Sequence, residues 1–145
     1  MAVTIKPITL WRSEAHDRPG ALAEVLEPLS AAKADLQVVM GYKVPGEKTR
    51  AVLEFWPITG RKLSEAAERA GLSPSHTPTL LVTGDNRAGL GYAIARAIAD
   101  AGISLSFLVA QVAGRKYSAV FGFESEADAK KAMGLIRKAT GARRR

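Results

Sequence analysis

The sequence contains no cysteine. That absence excludes disulfides, thiolate metal sites and cysteine nucleophiles together. Histidine is nearly as scarce, with His16 and His76 the only two. Neither has a second histidine at ligand spacing, so no metal and no cofactor are expected. No apolar run approaches the ~20 residues that a membrane-crossing helix needs. The opening MAVTIKPITLW lacks a basic segment followed by an apolar stretch. No secretory signal is therefore expected, and the cytoplasm is the expected location. Glycine and proline, at 13 and 7 residues, are not in excess, which places the body of the chain outside disordered compositions. Catalytic signatures are missing too. There is no G-x-S-x-G elbow, no H-E-x-x-H, no Walker lysine motif, and no pair of carboxylates set apart for acid–base work. The expectation is a protein that binds and does not catalyse.

What is present is an ordinary globular composition: 145 residues, 47% hydrophobic and 24% charged. That suffices for one core or two small ones. The net charge of +7 is unevenly placed. Residues 1–72 hold ten Lys/Arg against nine Asp/Glu, whereas residues 73–145 hold eleven against five. Residues 140–145 form a basic tail ending in Arg143, Arg144 and Arg145. A short basic end of this kind is ordinarily solvated, so the charge does not by itself point to nucleic acid.

An internal repeat organises the rest. Residues 16–36 (HDRPGALAEVLEPLSAAKADL) align with residues 85–105 (DNRAGLGYAIARAIADAGISL) at an offset of 69. Arg18 then pairs with Arg87, Gly20 with Gly89, Val25 with Ile94, Leu29 with Ile98 and Leu36 with Leu105. At an offset of 68, TRAVLEF (49–55) matches YSAVFGF (117–123). At 66, Leu63, Ala66, Ala67 and Ala70 match Ala129, Ala132, Met133 and Ile136. The length changes fall in turns, where they are tolerated.

Leu22, Val25, Leu26 and Leu29 share one helical face. Pro19 suits a first helical turn, while Pro28 predicts a kinked or shortened helix. Residues 36–42 alternate as a strand, Pro45-Gly46 signals a turn, and residues 50–56 return as the second strand of a hairpin. Residues 60–70 resume helical spacing. Strands precede each first helix at residues 8–13 and 79–83. The predicted fold class is α+β: two ferredoxin-like βαββαβ units in tandem, at 1–72 and 73–145, each an antiparallel sheet with helices on one face. Neither half shows an obvious sixth element. Residues 72–78 carry Pro74 and Pro78, and the second half ends in its basic tail. The alternating segment 2–6 has no other role and is assigned as an exchanged edge strand for the second unit.

The strand-to-helix junction occurs twice, as Asp17-Arg18-Pro19-Gly20-Ala21-Leu22 and as Asp85-Asn86-Arg87-Ala88-Gly89-Leu90. Each glycine permits a positive φ or a close approach. Each following helix start offers unpaired N–H groups that suit a carboxylate. Asp17 and Asn86 stand three residues earlier and suit an ammonium. From their chemistry alone they read first as plain N-caps, worth about 1 kcal/mol each. Gly89-Leu90-Gly91 resembles part of a dinucleotide loop but lacks its third glycine and the acidic residue after the next strand.

These residues, with Ala34-Asp35-Leu36 and Gly102-Ile103-Ser104-Leu105 after the helices, resemble the opening motif of ACT domains. The resemblance runs through nearly the whole chain as a tandem pair. It implies a non-catalytic regulatory protein that binds an amino acid or similar small effector, forms a homodimer with sheets side by side, and acts on a partner enzyme or regulator. It implies ligand contacts from Asp17, Arg18, Gly20, Ala21 and Leu22 in one site and from Asp85, Asn86, Arg87, Gly89 and Leu90 in the other. Asp35 and Ser104 would face these loops from the second strands. Ala88 departs from the proline of the motif, and Asp17 from its frequent asparagine. An RNA-binding module of the same topology is the alternative, suggested by Arg115-Lys116-Tyr117 and by Phe121 and Phe123. Against it, those aromatics share one strand face, which more often packs on helices as core.

The edge-strand assignment is directly testable. Deleting residues 2–6 is expected to lower the unfolding midpoint of the second half in a two-probe melt. An unchanged midpoint would overturn it.

Overall fold

The structure is a computed structural model describing residues 3–141. The chain divides into two compact units, Thr9–His76 (the first) and Met1–Ile8 with Thr77–Arg145 (the second). Ala2 and residues 142–145, which include most of the basic tail, lie outside the described residues.

In the first unit, strand β2 (Trp11–His16) leads to helix α1 (Ala21–Ala31). The hairpin β3 (Val38–Lys43) and β4 (Arg50–Trp56), helix α2 (Arg61–Arg69) and the short β5 (Ser73–Pro74) complete it. The sheet order is β3-β4-β2-β5, with every pairing antiparallel. Val25 and Leu29 of α1 and Leu63 and Ala67 of α2 bury against Leu53 and Phe55 of β4, so both helices cover one face. Phe55 and Leu29 are fully buried. Burial of such a side chain is worth about 1.5–3 kcal/mol relative to exposure.

Three expectations for this unit change. The strand placed at 8–13 is really a boundary: Ile8 ends β1 (Val3–Ile8), and β2 begins at Trp11. The segment 72–78 does supply a final strand. Pro74 lies opposite Trp11, Ser73 lies opposite Arg12, and the Ser75 amide donates to the Leu10 carbonyl at 2.7 Å. Proline is tolerated there because β5 is an edge, where a missing donor breaks no ladder. Pro28 does not shorten its helix either. Helix α1 and its counterpart α3 (Leu90–Asp100) both run 11 residues. Pro28 falls in the last full turn, so a single helical bond to the carbonyl four residues back is lost, while Val25 and Leu29 stay buried. Pro19 lies just outside the helix, before the N-cap Gly20.

The second unit has β6 (Thr79–Asp85), α3, the hairpin β7 (Leu105–Ala113) and β8 (Lys116–Phe123), and α4 (Glu126–Thr140). Its fourth strand is β1, which pairs antiparallel with β6 from Val3 opposite Gly84 to Ile8 opposite Thr79. The order β1-β6-β8-β7 thus repeats that of the first sheet, with the edge strand taken from the start of the chain. Val3 and Ile5 join Leu80, Val82, Phe121 and Phe123 beneath Ile94 and Ile98 of α3 and Ala132 and Ile136 of α4. Helix α4 is capped conventionally: the Ser125 hydroxyl accepts from the Asp128 amide at 3.1 Å.

One glycine in this sheet is a packing requirement. The β7–β8 register shifts between Leu105 and Phe107, which brings Phe107 opposite Gly122. A Cβ on Gly122 would stand 2.2 Å from the Phe107 ring. The ring therefore occupies the space a side chain would fill. Gly122→Ala is expected to destabilise the chain by about 1–3 kcal/mol, as overpacking does. The loss should largely vanish in a Phe107→Ala background. A double-mutant cycle by urea denaturation checks this, and additive effects would refute the contact.

Candidate ligand-binding loops

Both junction loops are built alike. The N-cap positions are Gly20 (φ 90°) and Gly89 (φ 84°), both left-handed, and neither helix start receives a side-chain cap. The N-cap roles considered for Asp17 and Asn86 are therefore not the ones they take. A Cβ at either glycine would meet nothing within 4 Å, so the requirement is the positive φ and not a close approach. The Ala21 amide bonds the Arg18 carbonyl and the Leu90 amide bonds that of Arg87, at 3.2 Å each. Glu24 and Ala93 close the first helical bonds onto Gly20 and Gly89. The amides between them, of Leu22 and Ala23 and of Gly91 and Tyr92, belong to a first turn that has no intrahelical acceptors.

In each unit the adjacent hairpin pins the loop. The Asp17 amide donates to the Thr49 carbonyl at 2.9 Å, and the Asn86 amide donates to that of Arg115 at 2.8 Å. In the second unit the loop and hairpin tip enclose an open cleft of ≈ 380 Å³ lined by Asp85, Asn86, Gly114 and Arg115. The sequence pattern marks Gly114-Arg115 as a turn. Only the antiparallel register, with Asp85 opposite Lys116, carries it to the loop.

The electrostatics of the two loops differ. Asp17 pairs with Lys43 at 2.8 Å, and the hydrogen bond it accepts raises the Lys43 pKa. Arg18 pairs with Glu24 in the first turn of α1. In the second loop Asp85 pairs with Lys116 at 2.6 Å, and that hydrogen bond holds its carboxyl below the usual value of 3.8. Helix α3 has no acidic residue in its first turn. A further ionisable group, legible only from the packing, is Glu54 of β4. It is 2% exposed and accepts from the Tyr42 hydroxyl at 3.1 Å, yet burial raises its pKa.

The remaining candidates divide. Arg18, Gly20, Leu22, Asn86, Arg87 and Gly89 are exposed, and Ala21 and Asp85 are half-buried. Leu90 is 1% exposed and packs in the core, so its side chain does not face a ligand. Asp35 and Ser104 are exposed but follow the far ends of α1 and α3. Each is separated from its own unit's loop by a helix of about 16 Å. Asp35 lines another open cleft of ≈ 410 Å³ with Lys33, Gln37, Gly60 and Lys62. Tyr117, Phe121 and Phe123, the aromatics of the RNA-binding alternative, are buried in the helix-covered core and offer no stacking surface. Among the described residues there is no cluster of metal-ligating side chains and no helix long and apolar enough to cross a membrane.

No family model matches the sequence, and no curated protein matches it. Solved structures do. A protein of Bacteroides thetaiotaomicron superposes with a TM-score of 0.75 at 12% identity, over 94% of this chain and 90% of that one. The regulatory subunit of aspartate kinase from Thermus thermophilus, in a ligand-free form, gives 0.64 at 15% identity, over 99% and 98% of the two chains. That from Thermus flavus gives 0.58 at 15%, over 97% of each. The likeness is one of fold: the chain carries two ferredoxin-like units in tandem.

The Asp85–Lys116 pair fixes a pH response. A depressed folded-state pKa means that the stabilisation is complete above the unfolded value of 3.8 and is lost as pH falls through the folded one. Lys116→Met should return the Asp85 titration, followed by carboxyl NMR, toward 3.8. The stability gap between variant and wild type should close in acid. A gap that persists there would assign the effect to packing.

Proposed function

We propose that the chain is a non-catalytic regulatory module that binds an α-amino acid at the loop preceding α3 and passes the binding on to a partner enzyme or regulator in the cytoplasm. The observation that carries this reading is the uncapped first turn of α3, which follows along the chain from Asp85 and Asn86, two of the residues that line the cleft with Gly114 and Arg115. A helix start without a side-chain cap suits a ligand carboxylate, through its free amides and partial positive charge. The Asn86 side-chain carbonyl suits an ammonium. The aspartate kinase subunits of like fold are themselves regulatory, which agrees with a binding role. Asp17 and its loop form the second candidate site, already occupied internally by Lys43 and Glu24. Contact of either loop with Asp35 or Ser104 belongs to this proposal and requires the second strand of another unit.

Homodimerisation is part of the same reading. Strand β7 is a nine-residue sheet edge without charge or proline, and Leu108, Val109 and Val112 on it are each 47–49% exposed. Natural edges of this length are ordinarily blocked or covered. A ligand that rigidifies such an association changes what the pair presents to a partner, which is a coupling free energy and not a reaction.

Thermal unfolding in the presence of each of the twenty amino acids tests the proposal. A true ligand at a hundredfold excess over Kd adds ~2.7 kcal/mol. Gly89→Asn is the informative variant, because asparagine tolerates the left-handed conformation while adding a side chain at the helix start. It should abolish the ligand-induced shift and leave the unliganded midpoint within a few degrees. An undiminished shift would remove the loop from the site.

A further inference from the structure

The two loops are equivalent in backbone and differ in charge balance. At the aligned offset of 69, Glu24 of the first corresponds to Ala93 of the second, and Asp17 corresponds to Asn86. In the first loop Arg18 is held by Glu24, and Asp17 by Lys43. In the second, the acid that would hold Arg87 is missing. Among the described residues no carboxylate lies within ion-pair distance of Arg87 or of Arg115, and both are exposed. The acid in the cleft lining, Asp85, is neutralised by Lys116. The lining of the cleft of ≈ 380 Å³ thus has one neutralised acid and one free guanidinium; Arg87 follows the lining residue Asn86 directly along the chain, and the positive end of the 11-residue α3 begins three residues further on.

We infer that this cleft selects a ligand of net negative charge, an amino dicarboxylic acid, with Arg87 and Arg115 as its specificity-determining residues. A neutral amino acid balances only the helix start and leaves both guanidinium groups without a partner. A second carboxylate supplies one, and guanidinium is the side chain best shaped to hold it in two parallel hydrogen bonds. Arg115 is placed for this by the Asn86 amide, which bonds its carbonyl and ties the hairpin tip to the loop at 2.8 Å. Loss of Glu24's counterpart therefore leaves the second copy as the anion-selective one.

The inference rests on the proposed amino-acid site, and titration calorimetry of the full chain separates the two. The probes are L-glutamate, L-aspartate, L-glutamine, L-asparagine, L-leucine and malate. Glutamate or aspartate is expected to bind at least about tenfold more tightly than its amide, a difference of ~1.4 kcal/mol. Added salt should narrow that gap. Malate, lacking the ammonium, should bind more weakly than aspartate. Arg115→Gln and Arg87→Gln should each bring the acid down toward the affinity of its amide. Arg96→Gln, which removes the same charge from α3 away from the cleft, should not. Equal or tighter binding of an amide or of leucine, still lost in Gly89→Asn, would overturn the charge selectivity and leave the amino-acid site standing. Binding of none of the amino acids would overturn both.

Discussion

The pairing of β1 with β6 is the constraint on which the architecture depends. Six residues from the start of the chain complete a sheet whose other strands all lie beyond residue 78. Val3 and Ile5 point from that strand into the core beneath α3 and α4, so the pairing closes a hydrogen-bond ladder and a hydrophobic layer together. Without it β6 would be an edge, and Leu80 and Val82 would lose neighbours that keep water from the core. The first unit solves the same problem locally and more weakly, with two residues of β5.

Much of this was legible in the sequence because duplication made each half a check on the other. The repeat placed both helices, both hairpins and the glycine at each helix start, since apolar spacing and turn chemistry are local properties. The misplacements have a common physical cause. Residues 8–13 look like one strand because Ile8, Leu10 and Trp11 are all apolar, yet they feed different sheets. Ser73–Pro74 does not read as a strand because proline argues against one, and only the edge position removes that objection. Pro28 leaves its helix at full length because a penalty near the end of a helix is one lost bond, smaller than the burial of Val25 and Leu29.

The candidate site was legible in part. Its glycines follow from the repeat, and their left-handed φ is what an uncapped helix start after a tight junction requires. Its charges do not follow. Whether Arg18 or Arg87 is available depends on a residue six positions on, Glu24 or Ala93, and on whether the side chain turns back to meet it. Lys43, Lys116 and Arg115 enter only through strand register. Leu90, a ligand contact implied by the family resemblance, faces inward because the first residue of α3 falls on the buried stripe that Ile94 and Ile98 continue. Duplication thus preserved the backbone of the junction loop while the side chains around it diverged.

The ends of the first unit lie beside each other: Trp11 faces Pro74, and Ser75 bonds Leu10. The partners of the next pairing, Ile8 and Thr79, are separated along the chain by about 70 residues. During synthesis β1 emerges long before β6 exists. Once the intervening unit has folded, its joined ends shrink the loop that β1 must close to about six residues. On the logarithmic cost of loop closure that saves about 2 kcal/mol. The first unit thereby acts as an internal clamp that brings together the two strands of its neighbour, and a lesion in its own core would be felt as slower closure of a sheet to which it contributes no strand.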